Sequence, residues 1–117
     1  MKKFRVDLHI HTVLSACASL DMSPVNIVNA AIDKNIDLIA ITDHNSTLHC
    51  KLVKELAGEK GLAVLCGAEV TTREEVHCLA YFGDDASLEQ FQGYIDCHLP
   101  LIPYLPEQFG YLSLIHI

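Results

Sequence analysis

The chain is short of positive charge. Eight lysines and arginines stand against 15 aspartates and glutamates in 117 residues, a formal charge of −7. That balance argues against unaided binding of nucleic acid or of an anionic membrane surface. A phosphorylated substrate would need metal ions or local cations to offset the field. No apolar run is long enough to span a bilayer. No targeting segment is recognisable either: the start is basic, but Asp7, His9 and His11 interrupt any apolar stretch behind it. The cysteines (Cys17, Cys50, Cys66, Cys78, Cys97) are odd in number and lack a Cys-x-x-Cys spacing. This speaks against a disulfide framework and for a reducing compartment, so a cytoplasmic protein is the expectation. Cys66 and Cys78, in apolar strand-like runs, read as small buried hydrophobes. Internal repeats and low-complexity linkers are lacking, and the length suits one domain or part of one.

What is present is an alternation of strand and helix signals. Phe4 to His11 reads as a strand. Ser23 followed by Pro24 opens a helix, with Ile27, Val28, Ala31 and Ile32 at helical spacing and Asn35 able to close it in the left-handed conformation. Ile36 to Ile41 is an apolar run of strand length. A second helix is expected from about Thr47 to Ala57, with Leu48, Leu52 and Leu56 as its stripe. Leu62 to Cys66 and Val76 to Phe82 read as further strands. Ser87 with Gln90 resembles a capping box, opening a third helix with Leu88, Phe91, Ile95 and Leu99 on one face. The order β-α-β-α-β-β-α with buried-type strands indicates parallel α/β architecture. Such folds keep their active sites at the C-terminal strand ends.

Residues able to bind metal sit where those ends fall. His9 and His11, two apart on a strand, share a face. His44 follows the second strand in a turn, beside Asp43, which reads either as a ligand or as a group that orients one. Glu69 comes after the third strand, and a carboxylate there can bridge two cations roughly 3.5–4 Å apart. His77 lies inside an apolar strand, where an imidazole needs either a metal or a hydrogen-bond partner. Arg73 suits bidentate phosphate contact, or else pairs with Glu74 or Glu75. His49 and His98 read as helix-surface residues, and Asp33 and Asp37 as solvated charge.

The segments DLHIHTVLS, AITDHNS, GAEVTT and VHCLAYF, in that order between Asp7 and Phe82, resemble the N-terminal half of the PHP (polymerase and histidinol phosphatase) family. The resemblance implies a metal-dependent phosphoesterase on a distorted, TIM-like (β/α)7 barrel, here truncated after about four strands. It implies His9, His11, His44, Glu69 and His77 as metal ligands, with Glu69 bridging, and Glu69 and His77 among the catalytic groups. Two or three divalent ions, zinc, manganese or magnesium, are implied for the intact protein. Where the family often has aspartate or histidine, six residues after His11, this chain has Cys17. A thiolate ligand there would suit zinc better than manganese or magnesium. The family's later Asp-x-His pair has no counterpart: Asp96-Cys97-His98 spells it, but inside the third helix.

The expected activity is hydrolysis of phosphate esters by metal-activated water, on small phosphorylated substrates that include nucleotides and short oligonucleotides. Neither membrane association nor stable nucleic-acid binding is expected. The alternatives are a non-catalytic metal-binding module and a nuclease or polymerase-associated proofreading domain. Residues 1–111 read as the N-terminal portion of the domain. The apolar string at 112–117 reads as a non-native tail that resembles a translated sequencing adaptor, which would leave His116 without function. So short a piece of barrel is expected to be inactive by itself.

Overall fold

The computed structural model describes residues 1–99. Its elements are β1 (Val6–Ile10), α1 (Pro24–Asp33), β2 (Leu38–Ile41), α2 (Cys50–Gly58), β3 (Ala63–Thr71), β4 (His77–Phe82) and α3 (Asp85–His98). The expected α/β order is present. The proline-punctuated stretch from Pro100 and the tail at 112–117 lie outside the described residues.

Local chemistry explains the ends of α1. Ser23 is extended and its hydroxyl accepts from the Asn26 amide at 3.3 Å, with Pro24 in the first turn. Asn35 takes φ 55°, and the Ile36 amide turns back to the Ala31 carbonyl at 3.0 Å. The second helix departs from expectation. Thr47 is held by its amide and hydroxyl, both donating to Gln92 Oε1 at 2.7 and 2.8 Å, and α2 begins only at Cys50. Its buried face is therefore Cys50, Val53 and Ala57, while Leu48 and Leu52 are exposed. In α3 the cap is Asp84, whose carboxylate accepts from the Ser87 amide, so the helix opens ahead of Ser87. Leu88 and Ile95 are buried as expected.

The sheet runs β1-β2-β3-β4. β1, β2 and β3 are parallel, but β4 is antiparallel to β3. The parallel architecture read from the sequence thus holds for the first three strands and gives way at the last. Residues 72–76 are too few for a crossover, which takes a dozen residues or more, and they close a hairpin instead. The core lies between sheet and helices, with Ile27, Val28 and Ala31 of α1, Ile39 and Ile41 of β2, Cys50 and Val53 of α2, and Cys66 of β3. Cys78 is exposed, contrary to its apolar context.

The sheet is strongly curled. Tyr81 Oη on β4 donates to the Leu8 carbonyl on β1 at 2.7 Å. In a flat sheet those edge strands would lie ~14 Å apart, beyond a tyrosine's reach. Gly67 permits the close approach of β4, because a Cβ there would sit 2.2 Å from the Ala80 carbonyl oxygen.

Candidate metal centre

Each strand delivers its histidine differently. His9 lies in β1 and His11 just beyond it, with Ile10 between them turned to the core. Past β2, the chain keeps alongside β3: the Glu69 amide donates to the Asp43 carbonyl and the Asn45 amide to the Glu69 carbonyl, at 3.0 and 2.9 Å. His44 is thereby bridged to Glu69. β3 runs on to Thr71, so Glu69 lies within the strand and not after it. His77 is the first residue of β4, half exposed, and not inside a buried strand as its sequence context suggested. Antiparallel pairing sets it opposite Thr71 and diagonal to Glu69, at the same end of the sheet as His9 and His11.

Four imidazoles converge on one carboxylate. Glu69 Oε2 lies 2.9 Å from His9 Nε2, 3.0 Å from His11 Nε2 and 3.5 Å from His44 Nδ1; Oε1 lies 2.8 Å from His77 Nδ1. The two histidines of β1 also face each other, Nε2 to Nε2 at 3.0 Å. The His11 and His44 rings stack with centroids 4.4 Å apart.

Beneath this cluster lies a second carboxylate. Asp43 is fully buried and accepts from the Thr12 amide at 2.6 Å, the Thr12 hydroxyl at 2.7 Å and the Ser15 hydroxyl at 2.7 Å. The latter two contacts fix protons elsewhere. Ser15 has one hydroxyl proton, directed at Asp43, so at its 3.2 Å contact with His11 Nδ1 it must accept. His11 therefore carries its proton on Nδ1 and presents the Nε2 lone pair to His9 and Glu69. Ser15 Oγ also accepts from the His44 amide at 3.1 Å. Asp43 thus orients two of the histidines through one serine, the arrangement expected of a group behind metal ligands.

The donor set fits divalent cations. A neutral His11 would set a lone pair 3.0 Å from a carboxylate oxygen, which is repulsive unless a cation lies between them. Burial lowers the His11 pKa and works against protonation as the alternative. His44 Nδ1 is buried without a hydrogen-bond partner, and burial lowers that pKa too. For Glu69, burial pushes the carboxyl up, but hydrogen bonds from His9 and His77 outweigh it and hold the pKa below the usual value. Metal–ligand bonds of about 2.0–2.2 Å place neighbouring ligand atoms roughly 3–3.5 Å apart, matching the separations around Glu69. Three groups bring their ligand atoms within 4.8 Å of one another: His9 with His11 and Glu69; His44 with Glu69 and His77; and His11 with Cys17 and His44. Cys17 is exposed, its thiol pKa raised by burial of part of the side chain. It borders a cavity of about 350 Å³, also lined by Asp7, His9, His11, Ser19 and Met22.

All six metal-site residues expected from the sequence thus fall at one end of the sheet. Asp96 and His98 lie on the exposed side of α3, and Arg73 in the β3–β4 turn. Three residues of the site escaped the sequence reading. Thr12 and Ser15 follow the histidine pair directly, and hydroxyl residues beside a ligand pair were the available signal. His49 is not a free surface residue: its Nδ1 lies 2.8 Å from Thr12 Oγ1. Because the Thr12 proton points at Asp43, His49 is the donor.

The PHP domain model matches residues 7–114, and the chain belongs to that family. It is 36% identical over 78 residues to an uncharacterized protein of Methanocaldococcus jannaschii, covering 60% of this chain and 46% of that one. It is 33% identical over 73 residues to the 5'-3' exoribonuclease Rnm of Salmonella typhimurium, covering 61% of this chain and 24% of that one. Among solved structures it resembles a candidate metal-dependent phosphoesterase from Bifidobacterium adolescentis (TM-score 0.65, 30% identity, 82% of this chain and 33% of that one). It also resembles an amidohydrolase from Chromobacterium violaceum, solved with sulfate and no metal (TM-score 0.67, 26% identity, 80% of this chain and 32% of that one). The chain spans less than half the length of each of these proteins. No helix among the described residues is long and apolar enough to cross a membrane.

Proposed function

We propose that these residues form the metal-binding half of a phosphoesterase active site that hydrolyses small phosphate esters, on the opening strands of a distorted (β/α)7 barrel. The observation that carries the reading is the convergence of His9, His11, His44 and His77 on the two oxygens of Glu69. Glu69 would bridge two cations, His9 and His11 holding one and His44 and His77 the other, with Cys17 at a further position. Divalent ions so held supply the Lewis acidity that activates water at neutral pH and offsets charge on phosphate oxygens. Glu69 and the half-exposed His77 sit closest to the chemistry, and the cavity beside His9, His11 and Cys17 receives the ester. The curl that lets Tyr81 reach Leu8 supports the barrel reading, with the rest of the barrel supplied by sequence beyond the described strands. The free cysteines support a reducing, cytoplasmic setting.

Purified protein dialysed against manganese or zinc should retain at least one equivalent of metal that Glu69→Ala loses. The metal-loaded intact barrel should hydrolyse a chromogenic phosphate monoester. Failure to retain metal would sink the reading, and retention without turnover would favour a binding module. A second reading, hydrolysis of phosphodiesters at a nucleic-acid end, is favoured by the likeness to an exoribonuclease. It is chosen if short RNA is cleaved while the monoester is not.

A further inference from the structure

We propose that the buried thiols of Cys50 and Cys66 form a peroxide-reactive pair that closes to a disulfide, tying α2 to β3 behind the metal centre. The pair is separate from the histidine cluster. Cys66 and Glu69 are three residues apart on β3 and so point to opposite faces of the sheet. Cys66 lies with Cys50 in the core between sheet and helices.

The fold places the two sulfurs together. Cys50 opens α2, and its Sγ lies 3.3 Å from the carbonyl oxygen of Gly67, the residue after Cys66, and 3.7 Å from that of Ile41. Ile41 is the register partner of Cys66 across β2 and β3. Cys50 therefore sits over the rung of the sheet that carries Cys66, and the two thiols are hydrogen-bonded. Their surroundings make them unequal. The contact with Cys66, reinforced by burial, holds Cys50 in its thiol form. The same hydrogen bond favours a thiolate at Cys66, against the effect of burial and with help from the Lys54 ammonium. Cys66 also keeps 4% exposure where Cys50 has none. Cys66 is thus the sulfur that meets the oxidant, and Cys50 the one that closes the bond.

The oxidant is hydrogen peroxide, close to water in size. The Cys66 thiolate attacks one peroxide oxygen and the O–O bond breaks. Cys66 becomes a sulfenic acid, and the departing hydroxide takes up the proton that the thiol gave away, forming water. The Cys50 sulfur then attacks the Cys66 sulfur and the S–O bond breaks. The Cys50 proton leaves with the hydroxyl as a second water. Two thiols become one disulfide, and one peroxide becomes two waters. Two equivalents of a small thiol reverse the change by exchange, themselves becoming a disulfide. A transient bond of this kind is compatible with a reducing compartment.

The test is treatment of the full 117-residue chain with hydrogen peroxide, followed by tryptic peptide mapping without reduction. Cleavage after Lys34, Lys51, Lys60 and Arg73 leaves Cys50 in peptide 35–51 and Cys66 in peptide 61–73. The joined pair of peptides should be the main disulfide product and should vanish on treatment with dithiothreitol. Its share should fall about threefold or more when the chain is first unfolded in urea, because Cys17, Cys78 and Cys97 then compete on equal terms. Two variants check the order of attack. Cys50→Ala should accumulate a sulfenic acid at Cys66 that dimedone captures, whereas Cys66→Ala should give about fivefold less capture at Cys50. The unsubstituted chain decides the linkage by itself, whether or not either variant folds. The same pairings in folded and unfolded chain overturn the proposal, as does oxidation of Cys66 to sulfinic acid without the joined peptides. Both thiols remaining unreacted in the folded chain overturns it too. Each of these results leaves the Glu69 centre standing.

Discussion

Asp43 and Glu69 are both buried carboxylates at the same end of the sheet, 0% and 5% exposed, but their surroundings are of opposite kinds. Asp43 is met by an amide and two hydroxyls, groups whose protons all point at it. Glu69 is met by four imidazoles, of which His11 presents a lone pair and His44 Nδ1 has no hydrogen-bond partner. A buried anion with its donors supplied holds structure together. A buried anion that meets a lone pair on one ring and an unpartnered buried nitrogen on another, beside the two rings that hydrogen-bond to it, is arranged for cations.

The sharpest way to break that comparison is to remove each carboxylate in turn. Asp43→Ala leaves the Thr12 amide and two hydroxyls without their buried acceptor, and should destabilise the metal-free fold by roughly 3–5 kcal/mol. Glu69→Ala removes hydrogen bonds to the two half-exposed rings, His9 and His77, and relieves the crowding of a carboxylate against His11 and His44, so it should change that stability by only about 1–2 kcal/mol. In metal retention the order reverses. Glu69→Ala should abolish the bridged positions, whereas Asp43→Ala, acting through Ser15, should weaken binding about 10–100-fold. Urea unfolding and metal content after dialysis measure the two axes, and equal losses on both would erase the distinction.

Next in size is Gly67→Ala, aimed at β4 and not at either carboxylate. The new methyl would meet the Ala80 carbonyl oxygen at 2.2 Å, a backbone atom that cannot rotate away. The hairpin must open, at a cost of about 2–3 kcal/mol. His77 should then part from Glu69 Oε1 while the Asp43 network, built on β1 and the turn after β2, remains. Loss of one bound ion with the other kept is the expected result. Loss of neither would mean that His77 is not delivered by the curl of the sheet.

Acid should also separate the two regions. Burial lowers the His11 and His44 pKa below 6.5, so in the metal-free protein the unfolded chain takes up protons that the folded chain refuses. Their contribution to stability is complete above 6.5 and declines as the pH falls through that value toward the folded-state pKa. Glu69, also lowered, contributes fully above 4.5, and its share is lost as the pH falls below that value through its folded-state pKa. Melting temperature should therefore fall in two stages on acidification, the histidine stage first. A flat profile between about pH 7.5 and 5.5 would contradict the assignment of neutral histidines.

Much of this was legible in the chain. Ser23-Pro24 and Asn35 bounded α1 because caps act locally, within a few residues. The four histidines and Glu69 were legible because strand ends place residues by period and position. What the sequence hid was long-range. The Thr47–Gln92 contact that delays α2 joins residues 45 apart. The antiparallel turn of β4 depended on the length of a connection between two apolar runs, and reading β3 as ending at Cys66 made that connection look longer than it is. Asp43's role was half legible: its place beside His44 suggested support, but its partners Thr12 and Ser15 lie 31 and 28 residues away.

The smallest expected effect concerns His49, at the outer end of the Asp43 network. His49 Nδ1 donates to Thr12 Oγ1, which also accepts from the Leu14 amide at 3.2 Å and passes its own proton to Asp43. Removing the ring in His49→Ala takes one donor from an oxygen that keeps another, and leaves every acceptor position on Asp43 filled. The loss should be about 0.5–1.5 kcal/mol, the net worth of one hydrogen bond. Thr12→Val, by contrast, deprives Asp43 Oδ2 of its hydroxyl donor and His49 of its acceptor together, and should destabilise by about 1–3 kcal/mol. Once Thr12 is valine, the further change His49→Ala should have almost no effect, since the two act through one oxygen. A double-mutant cycle in urea measures this. Additive losses would show that His49 supports the N-terminus of α2 by itself and stands apart from the network under the metal site.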